Sequence, residues 1–85
     1  MTDEELVGRA RDGVSDAWAE LVHRHHAAVF RTAHAALTTA DDAADAAQEA
    51  WVAAWRHLDE FRGQSSVRTW LLTIAWRKAL DRRRS

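Results

Sequence analysis

Apolar residues recur every three or four positions over most of the chain, which is the spacing that predicts amphipathic α-helices. One stripe runs from residue 18 to residue 37, and a second, built largely of alanine, runs from residue 43 to residue 58. A third begins at Val67 and continues through Trp70, Leu71, Ile74 and Ala75. Together with a short N-terminal amphipathic segment, these stripes predict an all-α fold, a compact four-helix bundle.

Capping residues set the expected boundaries of the helices. Thr2 and Glu5 form a capping-box pattern, and Gly13 is expected to end the first helix in a left-handed conformation. Ser15 is expected to cap the second helix and Thr39 the third. We therefore predict a single domain over residues 1–85, with two helices in about 1–38, a third in 40–60, a loop in 61–66 and a fourth helix in 67–84. Ser65 or Ser66 should cap the fourth helix.

Composition narrows the class of protein. The chain has no Cys, which excludes disulfides, thiolate metal sites and a Cys nucleophile. No apolar run approaches the roughly 20 residues that span a bilayer. The N-terminus is acidic, whereas a signal peptide begins with basic residues. We expect a cytoplasmic protein without membrane insertion.

Charge is divided unevenly along the chain. Residues 1–60 hold 12 acidic and 5 basic side chains, whereas residues 61–85 hold 7 basic and 1 acidic. Such halves favour two partners, one of them a polyanion that meets the basic end. The alternative is that the charges only keep the helices soluble.

Neither catalytic nor metal-binding chemistry is indicated. His23 and His26 are three residues apart, but nothing at convergent spacing supplies the further ligands that zinc needs. We interpret the histidines as a surface cluster in which His25 is half-buried. No Ser–His–Asp arrangement or phosphate-binding glycine loop is visible. We therefore predict a protein that is not an enzyme and needs no metal or cofactor.

The third helix carries an acidic and amide stripe beside its alanine face. The stripe consists of Asp41, Asp45, Gln48 and Glu49, at spacings of three and four. Small residues allow a partner helix to approach closely, and carboxylates can pair with its arginines. The alternative is a solvated helix face with no partner.

The loop and fourth helix combine basic, aromatic and amide side chains. Basic residues follow phosphates, exposed aromatics stack on unpaired bases, and loop amides and hydroxyls read base edges. Trp70 fits the core stripe, whereas Phe61 and Trp76 could be core or platform. This mixture suits single-stranded nucleic acid better than an intact major groove, and the candidate contacts are Phe61, Arg62, Gln64, Ser65, Ser66, Arg68, Trp76, Arg77 and Lys78.

Three motifs, in order and at matching spacing, resemble one known family. They are Asp45-x-x-Gln48-Glu49-x-Trp51, the Phe61-Arg62-Gly63 turn, and Arg68-Thr69-Trp70-Leu71. They closely resemble the conserved second domain, region 2, of the extracytoplasmic-function (ECF) sigma factors, which are promoter-specificity subunits of bacterial RNA polymerase. The resemblance covers nearly the whole chain and implies a region 2-like bundle.

The resemblance also implies two partners. The third helix would dock on the coiled coil of the polymerase β′ subunit through Asp45, Gln48, Glu49 and Arg56. Residues 61–64 would capture an unstacked base of the non-template strand in the minus-ten promoter element, with Arg77 and Lys78 facing the DNA. Melting would then be driven by binding energy and not by ATP.

Two further expectations concern the extent and function of the domain. The chain ends before the second DNA-binding domain of the family, which reads the minus-thirty-five element, so we expect an excised domain. The alternative function is a helical protein-interaction bundle, for example one that binds an anti-sigma factor, without autonomous DNA binding.

Overall fold

The computed structural model describes residues 1–85 and contains four α-helices and no strand. The helices are α1 (Asp3–Arg11), α2 (Ser15–Ala36), α3 (Ala40–Arg56) and α4 (Val67–Arg84). A short 3₁₀ turn, Leu58–Glu60, follows α3. The predicted all-α bundle is confirmed. No helix is both long enough and apolar enough to cross a membrane.

The N-terminus of α1 is closed by the predicted capping box. The Thr2 hydroxyl accepts the Glu5 N–H, and the Glu5 carboxylate accepts the Thr2 N–H. This backbone hydrogen bond, followed by the bond to the Thr2 side chain, lowers the pKa of Glu5. Because the pKa of Glu5 is lower in the folded state, the cap stabilises α1 fully at pH values above the ordinary carboxyl pKa. This stabilisation is lost as the pH falls through the lowered pKa.

Three other predicted boundary signals are present in the structure. Gly13 has φ +88° and follows the end of α1. The Thr39 hydroxyl accepts the Asp42 N–H at the start of α3. Ser66, one of the two serines predicted for this role, caps α4 by accepting the Thr69 N–H at 3.0 Å.

The predicted cap of α2 is wrong. Val14 occupies the N-cap position and makes no side-chain capping bond, while Ser15 is already helical. The backbone provides the reason: Val14 N–H donates to Arg9 O at 3.0 Å, and Val14 O accepts Ala17 N–H at 3.1 Å. The turn that closes α1 therefore leads directly into α2 without a capping hydroxyl.

Helix α3 ends earlier than predicted. The sequence predicts a helix over 40–60, but α3 stops at Arg56 and a 3₁₀ turn covers Leu58–Glu60. In the turn, Phe61 N–H donates to Leu58 O at 3.3 Å. The carbonyls of Leu58 and Phe61 also accept hydrogen bonds from Arg11 of α1. Arg11 thus supplies a tertiary donor at the point where the helical hydrogen-bond pattern of α3 has ended.

The core has two parts of different character. The larger cluster joins all four helices and contains the bulky buried side chains, among them Leu6, Leu21, Leu58, Phe61 and Leu71. The smaller cluster has a buried centre made only of alanine, from α2, α3 and α4: Ala33, Ala36, Ala43, Ala46 and Ala79. Each of these three helices packs on the other two, whereas α1 packs on α2 and on the 3₁₀ turn.

The alanine cluster yields a prediction about packing. Ala43 is completely buried and Ala44, beside it on α3, is exposed. Ala43→Leu should lower the free energy of unfolding by about 1–3 kcal/mol, because the helix interface has no room for a larger side chain. Ala44→Leu is the matched control and should change it by less than about 0.5 kcal/mol. Urea denaturation followed by circular dichroism measures both, and equal losses would contradict the packing described.

Candidate functional site

The connection between the 3₁₀ turn and α4, residues 61–66, is called here the α3–α4 loop. Gly63 has φ +75°, a conformation that other residues adopt at a cost. This turn brings the Gln64 side-chain oxygen to 2.9 Å from the Arg62 N–H, which donates to it. Residues 62–66 are all exposed. The loop therefore presents a closed polar turn whose Gln64 amide nitrogen has no partner within the protein.

Both ends of this loop are anchored in the bundle. Phe61 is 5% exposed, and its ring centroid lies 5.3 Å from that of Trp70. At the other end, the Ser66 hydroxyl bonds the Thr69 N–H and hydroxyl, and Val67 is buried. The exposed turn is thus a short span between two fixed points.

Phe61, which the sequence left open between a core residue and a base platform, lies in the core. Phe61 was the aromatic member of the predicted base-capturing loop, which requires an accessible ring face. The ring instead lies in the larger core cluster with Leu58 and packs against half-buried Trp70, which the sequence assigned to the core. In this structure Phe61 fixes the start of the loop, and the accessible groups are those of residues 62–65.

The predicted DNA-facing residues of α4 do not form one surface. Arg77 and Lys78 line a shallow groove between α3 and α4, together with Trp70 and Ile74. Trp76 is 41% exposed, but it lies two residues from Lys78 and therefore about 200° around the helix from it. Arg68 is exposed in the first turn of α4, next to the loop. The loop, Arg68, Trp76 and Arg77 are accessible, whereas Lys78 is half-buried.

The predicted docking residues of α3 are all exposed, and one basic side chain already contacts them. Asp45, Gln48, Glu49 and Arg56 lie along one open groove beside α4. Arg82 of α4 donates to Asp45 at 2.9 Å and to Asp42 and Glu49 at 3.4 Å each. One guanidinium thus bridges three carboxylates. The acidic stripe therefore has a basic partner within the chain, near the end of α4. The sequence spacing gave no signal for this contact.

Three tryptophans form a cluster beside the acidic stripe. Trp18 of α2 lies edge-on to Trp51 and Trp55 of α3, with ring centroids 5.6 and 5.2 Å away. Trp55 and the neighbouring Val52 remain 49% and 44% exposed. The groove with the acidic stripe includes Val52, so this end of α3 has an apolar border.

The buried histidine of the cluster, His25, has a structural role. His25 is 6% exposed, not half-buried as expected, and its Nε2 lies 2.8 Å from Asp3 Oδ2. Asp3 also pairs with Arg24 at 3.2 Å, so one carboxylate ties the start of α1 to α2. No group of three or more His, Cys, Asp or Glu side chains is placed to hold a metal ion.

Comparison with known proteins identifies a family match over most of the chain. The model described as Sigma-70 region 2 matches residues 21–85. It includes α3, the α3–α4 loop and α4, but not α1.

Several relatives match almost the full chain. The RNA polymerase sigma factor NccH of Alcaligenes xylosoxydans is 37% identical over 96% of this chain and 44% of the relative. The ECF RNA polymerase sigma factor SigM of Mycobacterium tuberculosis is 36% identical over 98% of this chain and 42% of its own length. The ECF RNA polymerase sigma-E factor of Escherichia coli is 39% identical over 88% and 39%. The chain thus spans about two fifths of the length of these relatives.

The Arg82 contacts lead to a prediction about stability. Arg82→Ala should lower the free energy of unfolding by about 0.5–1 kcal/mol, because the change leaves three carboxylates close together without their shared cation. Arg83→Ala removes a neighbouring exposed arginine that makes no ion pair and is the matched control. Urea denaturation at low and high salt measures the difference, which should shrink as salt screens the charges. Equal stabilities of the two variants at low salt would contradict the bridging role.

Proposed function

Since this chain belongs to the Sigma-70 region 2 family, in the group of ECF sigma factors, we propose that it recognises promoters for bacterial RNA polymerase. In this role it acts in transcription initiation in the cytoplasm, as a binding module and not as an enzyme. The observation that carries the proposal is the α3–α4 loop, an exposed polar turn held at both ends by buried residues. A turn of this kind can present hydrogen-bonding groups to a base without first having to become ordered.

The first part of the proposal concerns α3 and the polymerase. Asp45, Gln48, Glu49 and Arg56 dock on the β′ coiled coil. Two features support this: the four side chains are exposed along one groove, and their carboxylates already accept a guanidinium from Arg82. An arginine from a partner helix would bind the same carboxylates, because a carboxylate can accept two parallel hydrogen bonds from one guanidinium. Exposed Val52 adds apolar surface at the edge of that contact.

The second part concerns the non-template strand of the minus-ten element. Arg62, Gln64 and Ser65 contact the edge of an unstacked base, and Gly63 allows the backbone to turn around it. Arg77 and Lys78, in the groove between α3 and α4, and Arg68, beside the loop, contact phosphates, whereas Trp76 lies on another side of α4 and is left out of this contact. Flipping a base costs a few kcal/mol. Edge hydrogen bonds from the loop and phosphate contacts from the basic side chains offset that cost without ATP.

Charge explains why polymerase and DNA binding should depend on each other. The acidic stripe on α3 lies close to Lys78 and Arg82 of α4, so its field repels phosphates near the basic helix. A basic partner that covers the stripe removes this repulsion. The domain by itself should therefore bind DNA weakly and gain affinity when the β′ coiled coil is present.

Gln64 provides the test of strand recognition. Gln64→Glu keeps an oxygen to accept the Arg62 N–H, so the turn is retained, but it removes the amide donor. We expect the affinity for a preferred single strand, selected from a random pool, to fall roughly tenfold, the loss that about 1.4 kcal/mol produces. Ala27→Glu, which adds the same negative charge at an exposed residue of α2 outside the loop and the docking residues, should leave this affinity unchanged. Fluorescence anisotropy with the β′ coiled coil present measures both.

Two outcomes of that titration would contradict the proposal. If Gln64→Glu and Ala27→Glu bind the selected strand equally well, the loop does not read the base. If the unchanged protein binds the coiled coil but prefers no strand at either of two salt concentrations, the domain is a protein-interaction bundle.

Glu49 provides the test of docking. Glu49→Lys should reduce association with the β′ coiled coil at least roughly a hundredfold, because a buried interfacial carboxylate is replaced by a like charge facing the partner. Asp59→Lys makes the same charge change at an exposed residue outside the stripe and should bind normally. Calorimetric titration measures affinity, and circular dichroism checks that helix content is unchanged. Normal binding by folded Glu49→Lys would remove the docking assignment.

A further inference from the structure

Arg11, in the last turn of α1, reaches across to the backbone where the α3–α4 loop begins. Its Nε and Nη2 atoms donate to Leu58 O at 3.1 and 2.9 Å, and Nη2 also donates to Phe61 O. These partners are 47 and 50 residues away in sequence. Arg11 lies outside residues 21–85, which the family model matches. The contact is therefore a feature of this chain that the match itself does not assign.

The two carbonyls that Arg11 binds are at the position where the backbone most needs a donor. The side chains of Leu58 and Phe61 are buried, and their carbonyls are partly shielded from water. The 3₁₀ turn uses Leu58 O for one bond from Phe61 N–H. A guanidinium, with several donors in one plane, can bind both carbonyls at once and also places a positive charge at the negative end of α3.

The helix that carries Arg11 is itself firmly held. The capping box closes the start of α1, and Asp3 pairs with His25 and Arg24 of α2. Leu6, Val7 and Ala10 lie in the same core cluster as Leu58 and Phe61. Helix α1 packs mainly on α2 and on the 3₁₀ turn. Arg11 thus joins a fixed helix to the first backbone groups of an exposed turn.

We propose that Arg11 is a positioning residue for strand recognition: it fixes the Leu58 and Phe61 carbonyls and thereby the orientation of Arg62, Gly63 and Gln64. The inference rests on the proposed function of the loop. Through Arg11, the N-terminal helix takes part in DNA recognition without touching DNA. A turn held in its binding conformation avoids the cost of ordering when the base enters, and it presents the Gln64 amide in one direction.

Hydrogen exchange measures the effect on the loop directly. In Arg11→Ala, the amides of Phe61 and Arg62, which donate to Leu58 O and to the Gln64 side chain, should exchange at least roughly tenfold faster, because two carbonyls lose their charged donor and the turn opens locally. Arg9→Ala removes an exposed arginine of the same helix whose side chain makes no hydrogen bond, and it should leave these amides unchanged. Ala43→Leu, destabilised through the distant alanine cluster, is the control for a general loss of stability and should not speed loop exchange selectively.

Strand binding completes the test. Arg11→Ala should lose roughly tenfold in its preference for the selected strand over a scrambled one, since the loop must then be ordered on binding. Arg11→Lys, which keeps the charge but not the planar fork, should recover part of both effects. If Arg11→Ala does not fold, Arg11→Lys carries the same two comparisons.

The outcomes separate this inference from the proposed function. Faster loop exchange with reduced preference supports the positioning role. Normal loop exchange, or a preference equal to that of Arg9→Ala while Gln64→Glu has lost it, overturns the role and leaves the function in place. A protein with no strand preference even before substitution overturns both.

Discussion

Helix α3 is buried almost wholly through alanines, and their small side chains set how closely α2 and α4 approach it. Ala43, Ala46, Ala50 and Ala54 are each at most 3% exposed. Such a face buries little apolar area per residue, so close helix packing must supply contacts that larger side chains would otherwise make. The same geometry leaves the polar side of α3 entirely outside. Its carboxylates are therefore available to Arg82 in this structure and, in our proposal, to the polymerase.

The buried face of α3 has no bulky side chain, and such side chains lie instead near its C-terminal end. Leu58, Phe61, Val67 and Leu71 fill the larger cluster there, and the exposed loop is the short chain segment between Phe61 and Val67. The loop that we propose binds DNA is thus only a few residues from side chains that stabilise the core. A substitution that disturbs the Phe61 ring will also move the loop. Reduced DNA binding by such a variant does not by itself identify a residue that contacts DNA. Arg11 strengthens this arrangement by binding the backbone at the same point.

Local signals in the sequence predicted much of the fold. The Thr2 and Glu5 box, Gly13 and Thr39 act through neighbours within a few positions, so their patterns were readable. Apart from the cap of α2 and the end of α3, the features that the sequence did not reveal join distant parts of the chain. The Asp3 contact to His25, the Arg82 contacts to α3 and the Arg11 contacts to the 3₁₀ turn have no periodic signature, and they depend on how helices cross. Burial of Phe61 has the same origin, since the aromatic pattern fitted both a core residue and a platform.

The central claim is that a preformed loop receives an unstacked base while α3 holds the polymerase. A fluorescent adenine analogue whose emission rises on unstacking tests it most directly when placed at successive positions of the non-template minus-ten strand. With polymerase core and this domain bound, we expect emission to rise at one position and to return to the stacked level in Gln64→Glu. Emission that stays at the stacked level at every position, although the complex has formed, would contradict the claim.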